Sequence, residues 1–176
     1  VLEDPNTVLR KQGIEEVVAK YPDVTIIQEV AGIGNLEEAV QKVGDALSAN
    51  IDKVDGILAT GYTPSVAIAQ VLSEYKEKGG ERAIHAVGID TDEVVMQAIK
   101  DGVMDGTIVQ NNYGHGYLSM LLLQYLSEGY TPKADVYFVD AGFAYANQAN
   151  LETYSEDILA VTEQIKAELL DKYLEK

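Results

Sequence analysis

The chain has no cysteine. That absence excludes disulfides, thiolate catalysis, zinc–cysteine sites and iron–sulfur clusters. Basic residues are also scarce. Thirteen Lys and Arg face 29 Asp and Glu, for a formal charge of −16. With no surplus of cations to displace counterions, a phosphate backbone is a poor partner, and no nucleic acid is expected. An anionic membrane is disfavoured on the same ground, although a solvated acidic surface accounts for the charge equally well. No apolar run is long enough to span a bilayer. The start, Val1-Leu2-Glu3-Asp4-Pro5, has neither a basic nor an apolar leader region, so no signal peptide is visible. It also lacks Met, and the chain is expected to be processed, truncated or a fragment. Missing targeting information therefore says nothing about compartment.

Several chemical motifs are missing too. There is no GxxxxGK[ST] and no GxGxxG after a first strand. Ala31-Gly32-Ile33-Gly34-Asn35 contains a GxG, but Leu36-Glu37 follows, where a phosphate would meet acid; a corner needing positive φ is the simpler reading. A receiver-like phosphorylation domain would need an Asp after a later strand, where Ala59-Thr60-Gly61 stands. The two histidines, His85 and His115, lack metal-ligand spacing. His85 reads as structural, and His115 is a candidate to line a cleft. Ser65 sits at a helix start without a GxSxG elbow. No catalytic residue, metal site or cofactor is expected, and the chain does not read as an enzyme.

What is present is alternation. Hydrophobic residues make up 47 % of 176 residues, enough for one domain with a sizeable core. Apolar runs suited to strands, Val24–Gln28, Val54–Ala59, Ala86–Ile89, Gly106–Val109 and Ala134–Val139, alternate with helical periodicities. The helices are expected over Thr7–Lys20, Leu36–Ala49, Pro64–Glu77, the stretch after Thr91, Tyr113–Leu126 and Ser155–Lys176, with Phe143–Ala146 as a short extended piece. Thr63, Thr91 and Asn35 are the expected caps. Parallel strands need crossovers, and these helices supply them. The expected fold class is α/β, a three-layer doubly wound parallel sheet, flavodoxin-like.

Ligands bind at the carboxyl edge of such sheets. There the sequence puts Thr60, Tyr62, Asp90, Gln110 and Asn111, with Arg10 able to reach the same rim from the first helix. Asp90 and Gln110, ending strands joined by one helix, would be neighbours. An acid, an amide and an arginine without a nucleophile–base pair suit reversible binding of a polyhydroxylated molecule. Asp90 also reads, with equal weight, as an acid favoured by a helix N-terminus.

The combination resembles a family. Gly88-Ile89-Asp90-Thr91, Ala98-Ile99-Lys100-Asp101-Gly102, Gly106-Thr107-Ile108-Val109-Gln110-Asn111 and Tyr113-Gly114-His115-Gly116-Tyr117-Leu118 are similar to type I periplasmic (solute-binding) proteins of sugar ABC transporters, of the ribose- and glucose-binding kind. Arg10-Lys11-Gln12-Gly13, Val139-Asp140-Ala141-Gly142 and Asn150-Leu151-Glu152-Thr153-Tyr154 extend the resemblance to about Tyr154.

The resemblance implies a C-terminal lobe that binds a monosaccharide-like ligand by hinged closure, without chemistry. It assigns Arg10, Asp90, Gln110, Thr60, Tyr62 and Ile33 to the ligand. Thr60-Gly61-Tyr62 matches a loop where ribose binders carry an Asn, and Ile33 stands near a position where an aromatic often covers the sugar. It assigns Asn111, Asn112, Asp140 and Gly142 to the hinge, with Asn112 in place of a frequent Pro. Residues 1–112 would be the ligand-binding lobe. Residues 113–140 would be a helix and strand that pack on an N-terminal lobe, and 141–176 a return segment with a C-terminal amphipathic helix. The implied partners are an ABC permease and either the missing N-terminal lobe or a second copy. The implied location is extracytoplasmic, periplasmic or lipid-anchored. The alternative is the ligand-sensing domain of a LacI-type regulator or sensor, or a receiver-like signalling domain.

Overall fold

A computed structural model describes residues 4–176. The sequence suggests a strand tail at Val1-Leu2 and an acidic start at Leu2-Glu3-Asp4, and residues 1–3 lie outside the described residues. The chain divides into two compact units, Val1–Thr107 and Ile108–Lys176, and the division falls inside strand β3 (Gly106–Gln110).

The first unit holds α1 (Pro5–Val18), α2 (Leu36–Asn50), β1 (Gly56–Leu58), α3 (Tyr62–Glu77), β2 (His85–Ile89) and α4 (Glu93–Lys100) before the start of β3. Strands β1, β2 and β3 are neighbours in that order. β1 and β2 run parallel, with Gly56 opposite His85 and Leu58 opposite Val87. The core lies where α3 meets the sheet and its flanking helices. Val66, Ala67, Ile68, Ala69 and Leu72 of α3, Val43 and Leu47 of α2, and Val95, Ala98 and Ile99 of α4 are buried. Each large side chain among them contributes about 1.5–3 kcal/mol of burial. Gly88 lets α3 come close to β2, because a Cβ there would stand 3.1 Å from Ser65 Oγ and 3.2 Å from its Cβ.

Two caps differ from expectation. Asp92, not Thr91, caps α4, accepting from the Val94 amide at 2.9 Å. Helix α3 starts at Tyr62 from an extended Gly61 that makes no side-chain cap, so Thr63 is already inside the helix. Asn35 caps α2 as expected, accepting from the Glu38 amide at 2.9 Å.

The expected strand Val24–Gln28 does not form. The stretch is exposed, and side chains at its end tie it down instead: Glu29 to Lys11 at 2.8 Å and Gln28 to Asn50 at 2.6 Å. β-branched composition favours extended backbone, but a strand also needs a ladder partner. The expected buried face of α1 is likewise open, with Val8, Leu9 and Val17 exposed.

The second unit holds the rest of β3, α5 (Asn112–Ser127), β4 (Thr131–Pro132), β5 (Phe143–Asn147), α6 (Tyr154–Glu168), a π-helical turn (Leu169–Tyr173) and β6 (Leu174–Glu175). β5 is the neighbour of β3, and β4 pairs antiparallel with β6. The expected single helix to Lys176 thus ends at Glu168 and turns into a short strand. Leu118, Ala141 and Leu169 form one core cluster, and Val109, Ala144, Ala146 and Ile158 another. The expected strand Ala134–Val139 is absent, for the same lack of a ladder partner. Tyr137 and Phe138 are 89 % and 78 % exposed, and on α5 Met120 and Leu123 are 67 % and 59 % exposed. No helix of the described residues is long and apolar enough to cross a membrane.

Candidate functional site

In the first unit the carboxyl ends of β1 and β2 each run into the first turn of a helix. β1 leads through Ala59-Thr60-Gly61 into α3, and β2 leads through Asp90-Thr91-Asp92 into α4. Arg10 of α1 reaches this edge. Its Nη1 donates to the Thr60 carbonyl at 3.0 Å. The hydroxyl of Tyr62 donates to Asp92 Oδ2 at 2.5 Å, so one carboxylate caps α4 and also holds the first residue of α3. That hydrogen bond, with the Asp92 charge and a smaller effect of the nearby Asp90 charge, raises the Tyr62 phenol above its ordinary pKa.

Asp90 is the one non-glycine residue with positive φ among the described residues, at +69°. The left-handed conformation costs an L-residue roughly 1–2 kcal/mol. Such strain persists where surrounding structure over-determines it, and it clusters at functional sites. Two fully buried hydroxyls bond the backbone around it. Thr107 Oγ1 donates to the Asp90 carbonyl at 2.7 Å. Ser65 Oγ accepts from the Ile89 amide at 2.8 Å and donates to the Gly61 carbonyl at 2.7 Å.

The structure therefore brings Arg10 to Thr60, and Tyr62 to the loop that carries Asp90. Ile33 lies half-buried in the loop between Gly32 and the α2 cap. Gln110 ends β3 in the second unit, half-buried. Sequence reasoning missed Asp92, Ser65 and Thr107. One signal was available for Ser65: a polar residue opening the apolar run Val66–Ala69. Thr107 had none, because a Thr in a β-branched strand is ordinary.

In the second unit Asn111 is fully buried and fully used. Its Nδ2 donates to the Ala141 carbonyl at 2.7 Å and to Thr162 Oγ1 at 2.8 Å. Its Oδ1 accepts from the Gly114 amide at 2.6 Å. The amide fills the space that a side chain on Gly114 would take, since a Cβ there would stand 2.2 Å from Nδ2. Asn112 opens α5, and Asp140 Oδ1 accepts from the Gly142 amide at 2.8 Å. The segments at 111–112 and 140–142 are thus joined through one side chain. His115 is exposed on α5, whereas His85 pairs with Asp105 at 3.0 Å in the first unit. Among the described residues no three acidic or imidazole side chains converge on a metal position.

Residues 1–131 match the family model for a periplasmic binding protein domain. The chain belongs to the periplasmic binding protein family. A xylitol-binding protein from Mycolicibacterium smegmatis is 29 % identical over 130 residues, which is 74 % of this chain and 36 % of that protein. Among solved structures, the arabinose-binding protein of Geobacillus stearothermophilus superposes with a TM-score of 0.70 at 24 % identity, covering 82 % of this chain and 51 % of its own. A sugar ABC transporter sugar-binding protein from Bacillus halodurans gives a TM-score of 0.71 at 23 % identity, covering 82 % and 51 %. The chain thus spans about half the length of these solved structures. Their likeness establishes the fold, an α/β architecture with a parallel-dominated sheet, and this periplasmic binding protein chain carries its charged and hydroxylated groups at that sheet's carboxyl edge.

Proposed function

We propose that the chain is the C-terminal lobe of the sugar-binding component of an ABC-type carbohydrate importer, working outside the cytoplasm beside an ABC permease. It binds a monosaccharide or sugar alcohol reversibly, by hinged closure, and performs no chemistry. The observation that carries this reading is Asp90, an acid held in a strained conformation at the carboxyl end of β2, on the edge where Arg10, Thr60 and Tyr62 also stand. A carboxylate that accepts two hydroxyl protons and a guanidinium that donates a fork match adjacent hydroxyls of a sugar. Gln110 belongs to the same reading as a ligand at the end of β3, Ile33 as an apolar cover, and Asn111, Asn112, Asp140 and Gly142 as the hinge.

The relatives that bind xylitol and arabinose support a pentose or pentitol as the first ligands to test. The exposed Met120, Leu123, Tyr137 and Phe138 support a further partner, a companion lobe of the kind the longer relatives have room for. Half of the ligand's hydrogen bonds would come from that lobe, so the 176-residue chain alone binds weakly. Calorimetry with xylitol and D-arabinose tests this. Millimolar binding that Asp90→Asn weakens about tenfold or more is expected. Sub-micromolar binding by the chain alone, or binding indifferent to Asp90→Asn, overturns it.

A further inference from the structure

We propose that Ser65 and Thr107 are positioning residues that set the direction of the Asp90 carboxylate toward the ligand, an inference that rests on reading Asp90 as a sugar ligand. At φ +69° Asp90 sits where L-residues rarely settle, and the chain turns there between Ile89, the last residue of β2, and the Asp92 cap of α4. An ordinary strand-to-helix turn has no need of a non-glycine residue in that conformation. Glycine would relieve the strain, yet the position holds a side chain that can bind polar groups.

The two hydroxyls bond the backbone at Asp90 and at its neighbour Ile89. Thr107, from the start of β3, donates to the Asp90 carbonyl at 2.7 Å. Ser65, from the first turn of α3, receives the Ile89 amide at 2.8 Å. The Thr107 bond anchors the carbonyl of Asp90 itself, and the Ser65 bond anchors the peptide between Gly88 and Ile89, so the backbone is tied on both sides of the Cα from which the carboxylate projects. Both hydroxyls are fully buried and neither can touch a ligand. Ser65 also donates to the Gly61 carbonyl at 2.7 Å, which ties the loop before Tyr62 to the same frame. The side chains that would meet the sugar are thus oriented by two side chains that would not.

The test couples each hydroxyl to Asp90. Xylitol and D-arabinose are titrated calorimetrically into the chain and into Thr107→Val, Thr107→Ser, Ser65→Ala, Asp90→Asn and the Asp90→Asn/Thr107→Val double variant. Thr107→Val is expected to weaken binding about threefold to tenfold, the range for one lost hydrogen bond. Thr107→Ser, which restores the hydroxyl, recovers most of that loss. In the Asp90→Asn background the effect of Thr107→Val shrinks to less than about twofold, because the group it orients is gone. A loss of equal size in both backgrounds, or none in either, overturns the positioning role.

A second measurement needs no ligand. The crystal structure of Thr107→Val is expected to show Asp90 outside the left-handed region, and a retained φ near +69° overturns the proposal. Failure of the underlying sugar reading looks different: Asp90→Asn leaves binding unchanged while the Asp90 backbone still relaxes in Thr107→Val.

Discussion

The hydroxyl of Tyr62 and the carboxylate of Asp92 meet at 2.5 Å, joining the first turns of α3 and α4. The link makes the carboxyl edge of β1 and β2 a single framed surface, since Asp92 at the same time caps α4 through the Val94 amide.

The phenol of Tyr62 is held in its protonated form by that bond and by the Asp92 charge, so its pKa lies above the ordinary 10.0. A group whose folded pKa is raised contributes stability that is full below its unfolded pKa and is lost as pH rises through the folded value. Tyr62→Phe should therefore lower the melting temperature at neutral pH and blunt the loss of stability above pH about 10. In a phenolate absorbance titration, Tyr62→Phe should remove a late-titrating tyrosine. A variant that removes only a tyrosine of ordinary pKa would contradict the link.

His85 and Asp105 form a pH-dependent clasp at the opposite end of β2. The Asp105 carboxylate faces a desolvation penalty from burial, and hydrogen bonds from His85 and the Ala86 amide outweigh it, so its pKa is lowered from 3.8. The hydrogen bond to Asp105, aided by its charge, raises the pKa of His85 above 6.5. The His85 contribution is full below pH 6.5 and fades as pH rises through the raised value. The Asp105 contribution is present above 3.8 and is lost as pH falls through the lowered one. The clasp is thus strongest between those limits. An NMR titration of the His85 imidazole should move back toward 6.5 in Asp105→Asn, and an unchanged midpoint would refute the pairing.

Asn111→Ala should destabilise the second unit by about 1–3 kcal/mol for each buried partner left unpaired. The Ala141 carbonyl and the Gly114 amide both lose their side-chain partner, while Thr162 keeps the Ile158 carbonyl at 2.9 Å. Denaturant titration followed by far-ultraviolet dichroism reads the change. Stability equal to that of the unsubstituted chain would mean that water replaces the amide at no cost.

The open apolar surface of α5 and the 137–138 segment should make the isolated chain bind a hydrophobic dye or self-associate, because patches of this kind rarely stay bare. Met120→Glu together with Phe138→Ser is expected to lower both dye fluorescence and the apparent mass in size-exclusion chromatography. A dye-silent monomer before substitution would show that the surface needs no partner.

Much of the architecture was legible in the residues. Helices α2 to α5 follow from apolar periodicity, and the edge bearing Thr60, Tyr62 and Asp90 follows from strands that end on polar residues. Two expected strands were not legible as failures, because Val24–Gln28 and Ala134–Val139 have strand composition and lack only a ladder partner. Composition sets the preference of a segment, whereas pairing depends on what lies beside it.

By itself the sequence determined the alternation of helices and strands, the absence of thiol chemistry and the polar residues at strand ends. Only the tertiary structure decided how those residues are held. The backbone at the left-handed turn is bonded by a hydroxyl 17 positions beyond Asp90 and by another at Ser65, 24 positions before Ile89. Burial makes those two bonds matter, since a polar atom removed from water must find its partner inside the protein. No local pattern can announce a partner that only folding brings within reach.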